Sequence, residues 1–175
     1  MRLGLISDTH DNIPMIKTAI LRLNELEVDL VLHAGDYISP FTAKPYAELR
    51  AKMIGVYGNN CAEREKLKEV YAAVGKEIIG NFAEVKATGI RIALLHGHDE
   101  CLLRSLIEHG GFDVVVHGHN HQAKISKQGT TLIVNPGEVC GYLTDNHNIA
   151  ILDSLTLEAE IIDINEMRSK YIGES

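Results

Sequence analysis

Arg2-Leu-Gly-Leu-Ile-Ser-Asp-Thr-His10 decides how the rest of the chain reads: a short apolar run, Arg2 to Ser7, stops abruptly at Asp8. Ile13, Ile16, Ile20, Leu23 and Leu26 then recur at spacings of three and four, which predicts an amphipathic helix. Asn12 is a candidate N-cap, and Pro14 sits early enough for its missing N–H to cost little. The same form returns downstream. Asp29-Leu-Val-Leu-His33 halts at Ala34-Gly35-Asp36, the stretch 41–50 reads as a short helix, and Met53-Ile-Gly-Val-Tyr57 ends in Gly58-Asn59-Asn60.

A charged helix is expected over 62–73. Phe82–Lys86 and Ile90–Leu95 predict a hairpin turning at Gly89, and its second strand ends at His96-Gly97-His98. A helix over 100–109 leads to Asp113-Val-Val-Val-His117, which ends at Gly118-His119-Asn120-His121. Strands at 122–126, 130–134, 147–153 and 157–163 follow, separated by glycine, asparagine and proline turns. Helical crossovers demand parallel neighbours, whereas the short late links allow antiparallel additions. The expectation is an α/β fold: two mixed sheets facing each other, helices outside. Residues 1–165 read as one domain and 166–175 as a short C-terminal extension.

The chain has 175 residues and a mass of 19.3 kDa, enough for one full hydrophobic core. Hydrophobic types make up 45% and charged types 23%, which argues against disorder. The net charge of −7 argues against a broad nucleic-acid surface, although bound divalent metals could reverse the field locally for a small phosphorylated substrate. No apolar run is long enough for a membrane span, and no basic–apolar–small pattern marks a secretory leader. Cys61, Cys101 and Cys140 form no paired framework, so a cytoplasmic location is expected. Histidine stands out: five of the nine lie within 96–98 and 117–121.

Five polar clusters each follow an apolar strand: Asp8-x-His10, Gly35-Asp36, Gly58-Asn59-Asn60, His96-Gly97-His98 and Gly118-His119-Asn120-His121. In open α/β sheets the carboxyl ends of parallel strands line a common crevice. Carboxylate, imidazole and amide oxygen together suit Mn, Fe, Ni or Zn. A single strand-end aspartate is commonly only a cap, and His96 alone could be a satisfied buried histidine. Seven potential ligands at five strand ends outweigh that account. His33, inside an apolar strand, reads as packing; His109 stabilises a helix end; His147 has no ligand pattern beside it.

These five ordered segments, with Asn135-Pro136-Gly137-Glu138, resemble the calcineurin-like metallophosphoesterases, in particular their small bacterial and archaeal phosphodiesterase branch. The resemblance implies a four-layer α/β/β/α sandwich and a centre of two divalent metal ions, with Mn2+ expected first and Ni2+, Fe2+, Zn2+ or Co2+ also accepted. It implies that Asp8, His10 and His121 hold one ion, that Asn59, His96 and His119 hold the other, and that Asp36 bridges them. The implied reaction is hydrolysis of phosphoesters, diesters foremost, by in-line attack of a metal-bridging hydroxide. Asp36, Asn59, Asn60 and His98 are the residues expected to serve catalysis.

The chain departs from the family pattern at residues 60 and 61, where many relatives place His or Cys and then an acid. Asn60 can donate to a phosphate oxygen but cannot protonate an alkoxide, which favours acidic leaving groups unless His98 supplies the proton. Cys61 reads as a poor substitute donor or a small buried residue. Asp11 has two readings, orienting His10 or capping the first helix. Asn135-Pro136-Gly137 is expected to shape the rim, and Tyr142 reads either as a stacking surface for a substrate base or as an ordinary surface tyrosine. A small phosphoester is the expected partner. Membrane is excluded, nucleic acid is disfavoured, and a homodimer or higher homo-oligomer is allowed but not required. Two competing readings are a non-catalytic protein-interaction scaffold, which loss of a ligand histidine would favour, and a nuclease, which a basic track would favour.

Overall fold

A computed structural model describes residues 1–165; the expected extension at 166–175 lies outside the described residues. The elements run β1 (Arg2–Ile6), α1 (Ile13–Glu25), β2 (Leu30–His33), a 3-10 segment (Pro40–Glu48), β3 (Lys52–Val56), α2 (Arg64–Ala73), β4 (Glu77–Gly80) and β5 (Phe82–Ala87). They continue with β6 (Ile90–Leu95), α3 (Glu100–His109), β7 (Val114–Val116), β8 (Lys124–Gln128), β9 (Thr131–Asn135), β10 (Asn148–Asp153) and β11 (Glu158–Asp163). One sheet has the order β11-β10-β1-β2-β3-β4, the other β5-β6-β7-β9-β8. Both are mixed. Parallel pairing joins β1, β2, β3 and β4 in the first and β6, β7 and β9 in the second, and antiparallel strands flank each run.

Strand alternation builds the layers. Leu3 and Leu5 of β1, Leu30 and Leu32 of β2, and Ala150 and Leu152 of β10 face the second sheet, where they meet Ile92, Leu94, Val114 and Val116. The intervening residues Ile6, Val31, Ile149 and Ile151 point the other way, onto Met15, Ile16, Ile20 and Leu23 of α1. On the far side, Ala93, Leu95 and Val115 pack with Phe112 against Leu103, Leu106 and Ile107 of α3. The result is helix, sheet, sheet, helix: the expected four-layer sandwich. Each fully buried leucine or isoleucine contributes about 1.5–3 kcal/mol of transfer free energy to this stack.

Asn12 caps α1 as expected, its Oδ1 accepting the Met15 N–H at 3.3 Å. Two local expectations need correction. The segment 40–48 winds as 3-10 turns because Pro45 lies inside it and cannot donate the bond an α-helix would need. The strand β4, absent from the sequence reading, adds an edge beside β3 through a register shift at Gly55/Val56.

Candidate metal centre

The strands that run in parallel carry their polar ends to one rim of the sandwich. Asp8 and His10 follow β1, Asp36 follows β2, and Asn59 follows β3, all in the first sheet. His96 follows β6, and His119 and His121 follow β7, in the second. Backbone bonds lock these turns together: Asp8 N–H donates to Gly35 O at 3.0 Å, His10 N–H to Asp36 O at 2.9 Å, and Gly118 N–H to His96 O at 2.9 Å. The His96 imidazole bridges the two sheets, its Nδ1 lying 2.8 Å from Ala34 O.

The tight turns need unusual backbone. Asp8, His10, Asp36, His119 and His121 all adopt left-handed φ, at 50°, 44°, 61°, 75° and 60°. Such strain in non-glycine residues persists where surrounding structure over-determines it, and it gathers at functional sites. Two glycines allow the close approach. A Cβ on Gly58 would strike the Asp36 carboxylate, and a Cβ on Gly118 would strike Ser7 Oγ and the Asp8 carboxylate.

Side-chain geometry brings all seven sequence-predicted ligands to one place. Asp36 Oδ2 lies 3.3 Å from His96 Nε2 and 3.9 Å from His10 Nε2, so this one carboxylate faces both halves of the cluster. On one side, single ligand atoms of Asp8, His10 and Asp36 lie within 4.8 Å of one another, and His121 Nε2 is 3.4 Å from Asp8 Oδ1. On the other, Asn59 Oδ1 is 3.0 Å from His96 Nε2, and the His119 ring meets His96 edge-on at 5.2 Å between centroids.

Asp8 Oδ1 and His10 Nε2 are among the buried polar atoms that make no hydrogen bond. Leaving such atoms unpaired is costly, and a divalent cation between them would satisfy both. The oxygen and imidazole donors of this half fit a divalent ion, and Asn59, His96 and His119 set a second group of oxygen and nitrogen donors across Asp36.

The electrostatics match. Burial raises the Asp8 carboxyl above its ordinary value, because its charge is poorly solvated. For Asp36, burial pushes upward too, but the His96 ring and Asn60 hydrogen bonds outweigh it and hold the carboxyl well below the usual range. Burial lowers His10, which keeps its ring neutral and free to ligate. For His96 burial also pushes down, yet the Asp36 contact prevails and raises it.

The remaining site predictions fall out variously. Asn60 grips Asp36 rather than standing free, its backbone N–H reaching Oδ1 at 2.9 Å and its side-chain amide Oδ2 at 2.7 Å. His98 is exposed at the rim, 5.6 Å from the His96 ring and 6.2 Å from the His119 ring. Burial by its neighbours lowers its imidazole pKa, so it is neutral at pH 7. Cys61 is buried, its sulfur accepting the Gly58 N–H at 3.3 Å. His33 packs, as read, stacked on Tyr37 at 3.9 Å. Asp11 neither orients His10 nor caps the helix; its carboxylate accepts from Ser39 N–H and Oγ at 3.1 and 2.9 Å, tying the first loop to the second. Asn135 is buried rather than rim-facing, and its amide donates to Gly118 O and Asn120 Oδ1, bracing the turn that carries His119.

Glu138 enters the sequence reading only as the end of the Asn135–Glu138 motif, with no role of its own. Fully buried, it sits 2.8 Å from His121 Nδ1, and it also accepts from Cys140 Sγ, from the backbone N–H groups of Tyr142, Leu143 and Thr144, and from Thr144 Oγ1. Burial pushes its carboxyl up, but these donors outweigh it and bring the pKa down from 4.5 to about 2. An acceptor at Nδ1 keeps the proton there and turns Nε2 toward Asp8, the arrangement a ligating imidazole needs. The available signal was that Glu138 is the only acidic residue from 114 to 144, directly after Asn-Pro-Gly.

Comparison with known proteins agrees with this geometry. The calcineurin-like phosphoesterase superfamily domain matches residues 1–156. A phosphodiesterase of Methanocaldococcus jannaschii is 41% identical over 155 residues, covering 88% of this chain and 93% of that protein. A probable metallophosphoesterase of Methanothermobacter thermautotrophicus is 31% identical, covering 93% and 92%. A solved archaeal phosphodiesterase superposes with a TM-score of 0.89 at 39% identity, over 93% of this chain and 99% of that one. With the domain match spanning all five strand-end clusters, the chain belongs to the calcineurin-like phosphoesterase superfamily.

Proposed function

We propose that the chain hydrolyses phosphoesters, diesters foremost, with two divalent cations: one held by Asp8, His10 and His121, the other by Asn59, His96 and His119, both sharing Asp36. The observation that carries this reading is the Asp36 carboxylate, which faces His10 and His96 from the middle of the cluster. Diesters come first because the similar M. jannaschii protein is a phosphodiesterase. When bound, the ions supply positive charge for the phosphoryl oxygens and acidify water to the attacking hydroxide. Mn2+ is the first expectation among Mn2+, Ni2+, Fe2+, Zn2+ and Co2+, all compatible with this nitrogen and oxygen set.

The chain's own groups divide the remaining work. Asn59 contributes an oxygen without negative charge, so the centre keeps its pull on an anionic substrate. Asn60 fixes Asp36 with one N–H of its amide, and its other N–H is free to meet a phosphoryl oxygen. His98 stands at the rim beside His96 and His119, where it could meet the substrate; Asn60 cannot protonate an alkoxide, which favours acidic leaving groups such as aryloxides unless His98 supplies the proton. No helix among the described residues is long and apolar enough to cross a membrane, and the unpaired Cys61, Cys101 and Cys140 support a cytoplasmic setting.

The test is a metal-resolved activity screen over aryl diesters, aryl monoesters, and 2′,3′-cyclic and 3′,5′-cyclic nucleotides. Asp36→Asn is expected to lower bound metal and to reduce hydrolysis at least a hundredfold, on the order of the loss from removing a group central to transition-state charge. Wild-type turnover in a chain lacking both Asp36 and His96 would refute the mechanism. Diesterase activity absent from every metal form, with monoesterase activity present, would refute the diester preference alone.

A further inference from the structure

Tyr142 and Leu143 are large apolar residues left 60% and 73% exposed. Large exposed apolar side chains commonly mark loose surface, but the backbone of this segment is tied down by a buried carboxylate. The buried Glu138 carboxylate accepts the backbone N–H groups of residues 142, 143 and 144 at 2.6–3.1 Å, and the Thr144 hydroxyl at 2.8 Å. Their exposure is therefore built in.

The loop also stands in a particular place. The Tyr142 ring centroid lies 6.0 Å from that of His10, tilted by 52°, and His10 in turn lies 5.3 Å from His121. Tyr142 thus gives the cluster of carboxylates and imidazoles an aromatic wall, continuous with the half that holds Asp8, His10 and His121. Small-molecule sites combine convergent polar groups with an apolar face that seats the rest of the ligand. A tyrosine is suited to such a face, offering a large flat area while giving up only two side-chain torsions on binding.

The geometry points to Tyr142, flanked by Leu143, as the platform on which a planar aromatic substituent of the phosphoester rests while its phosphoryl group sits at the metal centre. This deepens the phosphoesterase reading and rests on it. The platform selects substrates by what is attached to phosphorus: a flat aryl ring or nucleobase gains the stacking contact, and a small alkyl group does not. Glu138 acts here as a positioning residue, holding the loop without touching the ligand.

Calorimetric titration of the manganese-loaded protein with phenylphosphonate and methylphosphonate tests this without turnover. Wild type is expected to bind phenylphosphonate about tenfold more tightly, the range of one aromatic contact. Tyr142→Ala is expected to erase that difference while leaving methylphosphonate within about twofold of wild type, and Tyr142→Phe to restore it. A parallel titration with a non-hydrolysable phosphonate analogue of adenosine 5′-monophosphate separates the sources, since the larger loss in Tyr142→Ala identifies nucleobase or simple aryl ring as the natural occupant. Equal wild-type affinity for the two phosphonates overturns the platform and leaves the phosphoryl site standing, whereas no binding of either overturns both. Dissociation of an oligomer in Tyr142→Ala, seen by light scattering, would assign the loop to a second copy of the chain and overturn the proposal.

Discussion

Replacing Glu138 with Gln changes one atom's identity and one charge, yet the structure predicts a large effect. The carboxylate is acceptor-only and is surrounded by donors alone: His121 Nδ1, Cys140 Sγ, three backbone N–H groups and the Thr144 hydroxyl. A glutamine keeps one oxygen. If its NH2 faces Leu143 and Thr144, donor meets donor in a fully buried place. If it faces His121, that ring must accept at Nδ1 and carry its proton on Nε2, where it can no longer ligate. Each buried donor left unpaired costs about 1–3 kcal/mol, so a loss of about 2–4 kcal/mol is expected for the metal-free protein. Metal affinity should fall about 10- to 100-fold, as when a hydrogen-bond acceptor behind a ligating histidine is lost.

The pH dependence gives a second signature. Glu138 has a folded pKa of about 2, below its ordinary 4.5, so its contribution to stability is complete above 4.5 and is lost as pH falls toward 2. The shift corresponds to about 3 kcal/mol. Chemical denaturation from pH 6 to pH 2 should show this component in wild type and not in Glu138→Gln. A variant with the wild-type denaturation midpoint, the wild-type pH profile and unchanged metal affinity by calorimetry would refute the reasoning.

Gly118→Ala should push a methyl group into Ser7 Oγ and the Asp8 carboxylate, costing about 1–3 kcal/mol and weakening metal binding in the same protein. Thermal denaturation with and without metal would separate the two effects, and a fully stable, metal-replete variant would contradict the close packing. His98→Gln should lower kcat on aryl esters by less than about tenfold, because an aryloxide leaves without needing a proton from the rim imidazole. A far larger loss confined to alkyl leaving groups, measured across substrates of graded leaving-group pKa, would instead make His98 the proton donor.

Much of the architecture could be read from local signals. Apolar runs of four to six residues stopping at Asp, Asn or Gly-His marked the parallel strands, and their ends are where the seven candidate ligands meet. What escaped depended on distance along the chain. β4 was missed because Glu77-Ile-Ile-Gly80 is short and reads equally well as a loop; its pairing with β3 supplies the missing half of the signal. The 3-10 segment was read as an ordinary helix although Pro40 and Pro45 both argued for tighter turns. The roles of Glu138 and Asp11 escaped for one reason: each acts on a partner 17 or 28 residues away, and no periodicity records such a contact. The left-handed backbone at Asp8, His10, Asp36, His119 and His121 was equally silent, since aspartate and histidine tolerate it without announcing it.

The centre draws Asp8, His10, Asp36 and Asn59 from one sheet and His96, His119 and His121 from the other. Its two banks are therefore held apart by a slab of leucine, valine and isoleucine, Leu5, Leu32, Leu94 and Val116 among them. The thickness of that slab sets the spacing of the two banks, and with it the gap that bound ions would have to span. Trimming a methyl from the hydrocarbon would let the banks drift by a fraction of an ångström, enough to change which ion fits best while leaving every polar residue untouched. Metal preference in such a protein can thus evolve from its greasy interior, out of sight of the chemistry.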